Sequence, residues 1–516
     1  MQTTENWSFM PRSLEEYDVN LVNGFTPEQT PLSRLPDEYY SPWEDLVSRL
    51  TDHLLAGRFR ERVLQLPLLS IDRLTCRREY QRAYVVLTFL AHSYVWGLHQ
   101  KAEDVIPECI AVPLWQVSRY LGIKPVVTNA SVVLWNWEVL DTNRERMELD
   151  NLASLITFTG SPDEAWFYLV SVAIEAKGGE ILRDIGKAIS NVGANNMDGV
   201  TNALLSLAKS IVLITKILNR MYEKNDPYMF YWKIRQYLAG WENMKDAGLE
   251  HGVMYEGAEK VDDTYLTDGS DTESSLYKKY PGGSAAQSSV LQAIDVALGI
   301  AYYPTSASAE NARPDSPQPS SRVPEVRPPQ NHYLLRMRDH MPSLHKLFLE
   351  DLAGAPGIRR YVLENTRGIS KPSTTEFTPQ IEINENLSDG ETTESAQPSK
   401  AQKIGLIKAY NNCISALKAF RSSHIFIVKK YVVEQARSGR TAGSSAVNSR
   451  DASPVGDRTR VNSPIITEKI VTVTPKAVVN GLAQAVEEGK AVVGTGGTDA
   501  IEFLSSIRNK TGTYRI

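Results

Sequence analysis

Apolar residues recur at i, i+3, i+4 spacing in eight stretches of this chain: 43–55, 81–100, 112–121, 163–185, 198–224, 285–301, 334–352 and 401–435. At about 100° per residue, that spacing lines up one side of a helix. Runs alternating with period 2 are scarce; 471–479 is the clearest, and it reads equally as extended loop. The pattern predicts an all-α protein, and no internal repeat interrupts it. The most apolar stretch, 83–98, is broken by Thr88, His92 and Ser93. It is short and polar for a membrane span of about 20 residues, so it is predicted as a buried core helix.

Between the helical stretches lie polar ones. Residues 303–330 are rich in Pro, Ser and Ala, 366–400 in Thr, Ser, Glu and Asn, and 438–464 in Ser, Arg, Gly and Asn. None has enough apolar residues to offset the entropy of ordering, so all three are expected to be disordered insertions. An acidic loop is expected over 259–283. A turn signal at 157–162 suggests a small N-terminal helical domain, 1–158, and a larger helical domain, 159–516.

The 516 residues are 42% hydrophobic and 23% charged, which is ordinary globular composition. The net charge of -5 comes without a basic stripe, so neither nucleic acid nor an anionic membrane surface is an expected partner. Cys76, Cys109 and Cys413 lie far apart with no Cys-x-x-Cys, which argues against a disulfide framework or a thiolate metal site. The N-terminus, MQTTENWSFMPRSLEEYDV, has no apolar core of a secretory signal, and a cytoplasmic location is expected.

One helical face carries candidate chemistry. Ile407, Tyr410, Ile414, Leu417, Arg421, His424, Val428 and Tyr431 follow one another at alternating steps of three and four. The face is apolar except for Arg421 and His424. Two polar groups one turn apart on a buried stripe need partners there. A haem would supply both, because imidazole can bind iron and a guanidinium can pair with a propionate. Taken alone, the helix is better explained by a core histidine bonded to a carbonyl beside an ordinary ion pair. The other histidines show no His-x-x-x-His or His-Glu-x-x-His spacing.

Five segments change that balance. RSSHIFIVKKYV, YPGGSAAQSSVLQAIDVALGI, WFYLVSVAIEA, FYWKIRQYLAGW and GTGGTDAIEFL resemble parts of the indoleamine 2,3-dioxygenase family. They match its proximal-histidine helix, its Gly-Gly-Ser-Ala-x-Gln-Ser-Ser signature, its distal-pocket helix, its substrate-binding helix and its C-terminal Gly-Thr-Gly-Gly-Thr-Asp loop. Their order along the chain also agrees. The long polar insertions resemble those of fungal members. The resemblance implies a haem b enzyme, ferrous when active, that cleaves the indole C2–C3 bond of L-tryptophan with O2 to give N-formyl-L-kynurenine. That is the first step of the kynurenine route of tryptophan catabolism and of NAD supply. It also implies an electron donor and a monomer.

Carried over by motif position, the resemblance makes His424 the proximal iron ligand, and Arg421 the holder of a haem propionate or of its supporting network. Ser171 is the distal hydroxyl, with Phe167 and Tyr168 lining the pocket beside it. Phe230 packs on the indole and Arg235 binds the substrate carboxylate. Gly283, Ser284 and Ala285 bring backbone close over the haem, and Thr495 sits on a loop covering the amino-acid end of the substrate. Asn129 stands where family members often have a pocket tyrosine, which bears on substrate range. Asp295 lies in the apolar run VLQAIDVALGI. A lone carboxylate there is costly, and its place after the Gly-Gly-Ser-Ala motif suggests Arg421 as its partner.

Two points stay open. The Ser171 hydroxyl could instead bond back to the carbonyl one turn earlier. Phe230 and Arg235 are five apart, about 140° on a regular helix, so both reach one ligand only if Phe230 sits at an irregular helix start, near Pro227. No distal histidine or paired carboxylate stands ready for peroxide cleavage, which favours a dioxygenase over a peroxidase. Competing readings are an O2 carrier on the same fold, a weak dioxygenase for another indole, and a helical scaffold without haem.

Overall fold

The computed structural model describes residues 7–262, 264, 276–300, 332–369, 398–438 and 500–516. The cores of the three expected insertions, the 471–479 run and Thr495 lie outside the described residues. What is described is mostly helical, as the apolar periodicity predicts.

The longer helices are α1 (Arg77–Trp96), α2 (Glu108–Leu121), α3 (Pro162–Ala176), α4 (Gly178–Gly193), α5 (Met197–Asn219), α6 (Ser289–Ala297), α7 (Ser343–Ala353), α8 (Ile358–Asn365), α9 (Lys400–Val428) and α10 (Ala500–Thr513). Their ends follow local chemistry. Ser161 caps α3 by accepting from the Asp163 amide, with Pro162 at the first helical position. Ser399 and Gln402 form a reciprocal capping box at the start of α9.

Several predicted helices are broken in two. The 163–185 stretch divides at Lys177. There Gly178 and Gly179 let the 21–25 segment approach closely: a Cβ on Gly179 would lie 2.5 Å from the Val22 carbonyl oxygen. The 285–301 stretch becomes a 3-10 turn, Ala285–Gln287, then α6 capped by Ser288. The 334–352 stretch breaks at Pro342, which cannot continue the preceding turn. Helices α8 and α10 lie outside every predicted stretch.

Strands are two or three residues long. β1 (Val105–Ile106) pairs in parallel with β4 (Val253–Tyr255), which pairs antiparallel with β5 (Tyr277–Lys278). β2 (Glu138–Val139) pairs antiparallel with β3 (Leu152–Ala153). They pin loops rather than build a layer.

α1 is buried almost all round; Ala83 through Leu87 and Phe89 through Ala91 are fully covered. The stretch that most resembles a membrane span is a different one. Among the described residues, Met197–Lys224 is long and apolar enough to cross a membrane by length and composition. Its Leu204, Leu207, Ile211 and Ile214 are buried in the core, where α5 packs on α9. One hydrophobic cluster includes residues on both sides of the expected 158/159 boundary; the Phe158 ring stacks between Phe89 at 4.3 Å and Tyr237 at 4.8 Å.

Candidate active site

A cavity of about 290 Å3 opens where α3, α6, α9 and α10 meet the 129–133, 230–238 and 283–288 segments. Asn129, Phe167, Ser171, Phe230, Arg235, Gly283, Ser284, Ala285, Asp295, Arg421 and His424, separated by up to 295 residues in sequence, all line it.

His424 projects from α9 into this space, half-buried. Its ring makes no hydrogen bond among the described residues. Burial, with the Arg421 guanidinium adding to it, pushes its pKa down to about 4. The imidazole is therefore neutral at physiological pH, the form that binds a metal. Among the described residues no group of three or more His, Cys, Asp or Glu side chains could hold a metal ion. A single neutral imidazole facing a cavity suits an iron whose other ligands come from a macrocycle.

One turn before it, Arg421 Nη2 lies 2.7 Å from both Asp295 oxygens, and Nη1 bonds Thr511 of α10. The pairing suggested by the sequence is present. It ties α9 to α6 and α10 together behind the histidine.

The other end of the cavity is set by Arg235, 2% exposed, whose guanidinium lies 5.2 Å from the Tyr231 ring centroid. Burial lowers its pKa only to about 10, so it stays cationic at neutral pH. The five-residue spacing from Phe230 is resolved by a π-turn over Phe230–Ile234, in which the Arg235 amide donates to the Phe230 carbonyl. A wider turn brings residues five apart to the same face, so Phe230 and Arg235 both reach the cavity. The irregularity expected near Pro227 is this turn, beginning three residues after it. Similar π-turns occur at Ala130–Leu134 and Lys429–Val433, again beside the cavity.

Phe167 and Phe230 meet at 4.7 Å between ring centroids. Ser171 lines the cavity while its hydroxyl donates to the Phe167 carbonyl at 3.3 Å, the local bond the sequence left open. Tyr168 does not join the lining. It follows Phe167 by one residue, so it points about 100° away, and its buried hydroxyl donates to Glu164 Oε1 at 2.8 Å. His345 is a buried core histidine between Ser289 and the Asp18 carbonyl.

Two residues that the sequence did not single out belong here. Glu175, four after Ser171 on α3, lines the cavity. It accepts from Ser288 Oγ at 2.5 Å and from the Val290 amide at 3.2 Å. Burial nonetheless raises its pKa to about 7. The same reasoning that isolated Asp295, a carboxylate in an apolar helix, would have found it. Gln287 sits just behind the lining, inside the Gly-Gly-Ser-Ala-x-Gln motif.

Sequence comparison agrees with this geometry. A profile of the family described as Indoleamine 2,3-dioxygenase matches residues 13–514. The chain is 33% identical to an indoleamine 2,3-dioxygenase of Saccharomyces cerevisiae, covering 96% of this chain and 92% of that one. It is 30% identical to a 6-hydroxytryptophan 2,3-dioxygenase of Fusarium equiseti, over 96% of each. It is 31% identical to indoleamine 2,3-dioxygenase 2 of Homo sapiens, over 97% and 95%.

Proposed function

The chain belongs to the indoleamine 2,3-dioxygenase family, haem-dependent dioxygenases of indoles, and from that premise we propose that it cleaves the C2–C3 bond of L-tryptophan to give N-formyl-L-kynurenine. The observation that carries the choice of an amino acid is Arg235, a cation buried at the aromatic end of the cavity. Its planar fork matches a carboxylate. An O2 carrier has no use for such a group.

When bound, haem b in its ferrous state supplies the activation of O2. The chain does the rest. His424 would hold the iron, and Asp295, through Arg421, fixes the helix that carries it. Arg235 takes the substrate carboxylate, while Phe230 and Phe167 pack against the indole ring. Together they convert a two-body encounter into a positioned one. The apolar lining around Val132, Val133 and Ile174 excludes water from the reacting bond. Ser171, with its hydroxyl on the Phe167 carbonyl, presents a small polar surface beside the ring. A cytoplasmic location, a monomeric state, an electron donor that keeps the iron ferrous, and a place at the head of tryptophan catabolism complete the proposal.

Aerobic turnover of L-tryptophan under a reductant, followed by N-formylkynurenine absorbance, tests it; a haem-loaded protein that leaves L-tryptophan intact would refute it. One observation favours a second substrate, a ring-hydroxylated tryptophan. Asn129 puts a polar side chain into the cavity wall beside Glu175, and the Fusarium relative is named for 6-hydroxytryptophan. Competition between the two substrates decides between them.

A further inference from the structure

We infer that Gln287 is a positioning residue that sets the width of the substrate end of the cavity, an inference that rests on the proposed tryptophan reaction. Its side chain is 1% exposed and does not line the cavity. Its Oε1 accepts from the Asn129 amide at 2.9 Å and from the Ser284 amide at 3.4 Å. Its Nε2 donates to the Gly282 carbonyl at 2.9 Å. One side chain thus joins the Asn129 wall to the loop carrying Gly283, Ser284 and Ala285.

That loop is in turn locked to the Arg235 segment. The Gly283 amide donates to the Leu238 carbonyl at 3.1 Å. Gly282 and Gly240 lie backbone to backbone; a Cβ on Gly282 would sit 2.1 Å from the Leu238 oxygen. The Asn129 wall has its own anchors. Tyr255 donates to the Pro125 carbonyl at 2.6 Å and Tyr84 to the Val126 carbonyl at 2.7 Å. The Val127 amide donates to His92 Nε2 at 2.8 Å, which leaves His92 Nδ1 to donate to the Tyr237 carbonyl. The Thr128 amide donates to Ser131 Oγ at 3.0 Å.

Each wall is therefore rigid by itself, and Gln287 bonds directly to both. The hold on His424 runs through α9, Arg421 and Asp295, and does not pass through this amide. Gln287 accordingly bears on the loop and on substrate fit, while the iron ligand keeps its own support.

Two variants test this. Gln287→Met keeps the length and removes every hydrogen bond. We expect its KM for L-tryptophan to rise about tenfold, equivalent to about 1.4 kcal/mol, with haem content and unfolding midpoint near the parent values. Gln287→Glu keeps the acceptors and loses the donor to Gly282. Protonation of that carboxyl restores an O–H donor, so its KM should fall towards the parent value as pH is lowered, a titration absent from the parent. A Gln287→Met KM within twofold of the parent overturns the inference, as does a KM that rises only in step with lost haem and lost stability. If Gln287→Met does not fold, a Gln287→Glu KM with the parent's pH profile overturns it. Amide hydrogen exchange at Asn129 and Ser284 separates this from the identity of the substrate. It should quicken in Gln287→Met without any ligand, and unchanged exchange sinks the inference even if tryptophan proves not to be turned over. Absence of parent turnover alone counts against the tryptophan reading.

Discussion

Arg421 holds both carboxylate oxygens of Asp295 through a single nitrogen, 2.7 Å from each, one helical turn before His424. Both side chains are nearly buried. Removing either breaks a nearly buried ion pair, a change that typically costs about 3–5 kcal/mol. Asp295→Ala and Arg421→Ala should therefore lower stability and haem retention by similar amounts. The double variant should lose less than the two single losses added together. Urea unfolding of all four proteins measures the cycle, and strictly additive losses would deny the coupling.

His424→Ala should abolish stable haem incorporation while the chain still folds. The imidazole contributes no hydrogen bond to the described fold, and its neutral form is the one that binds iron. The Soret band reports the first expectation and far-ultraviolet circular dichroism the second. A histidine-ligated spectrum in the variant would assign the iron elsewhere.

Much of this was legible in the chain because a helical stripe carries its chemistry openly. His424, Arg421 and Asp295 stand out as polar residues on apolar faces, and burial demands that each find a partner. Helix breaks were less legible, since Pro342 and the Gly178–Gly179 pair act through local sterics within otherwise continuous periodicity. The π-turn at Phe230–Ile234 was invisible to a 100° wheel, which assumes one constant angle per residue. Tyr168, placed in the pocket by motif resemblance, lies one residue past Phe167, and the helix turns it onto Glu164. Gln287 stayed hidden because an amide that bridges backbones shows no periodicity of its own.

Arg235→Ala should raise KM for L-tryptophan far more than it alters O2 binding. A charge-assisted hydrogen bond to a carboxylate is worth about 1.5–3 kcal/mol, or roughly ten- to a hundred-fold. Arg235→Lys should recover little, because an ammonium lacks the planar fork and would leave the Tyr231 face differently packed. Steady-state kinetics together with O2 affinity of the ferrous protein separates the two effects. An unchanged KM would remove Arg235 from the substrate site.

Glu175 should make stability fall as pH rises from about 4.5 to about 7. Its carboxyl is 2% exposed, and burial outweighs the bonds from Ser288 and Val290 to lift its pKa from 4.5 to about 7. Between those two values the folded protein holds a proton that the unfolded chain has already released. Protonation thus favours the fold at low pH, and this advantage is lost as pH climbs through the folded pKa. Above about 7 both states are ionised and this group adds no further slope. The whole effect is about 3 kcal/mol, at about 1.36 kcal/mol for each tenfold in the ionisation constant. Glu175→Gln keeps one oxygen, able to accept from Ser288 or from Val290 but not both, and cannot ionise, so its stability should be flatter across the window. Unfolding free energies of parent and variant at pH 4.5, 5.5, 6.5 and 7.5 give the comparison. The difference between them should widen in favour of the variant as pH rises. Parallel curves would mean that the carboxyl is solvated or paired in the folded protein, and that its place in the cavity wall carries no penalty.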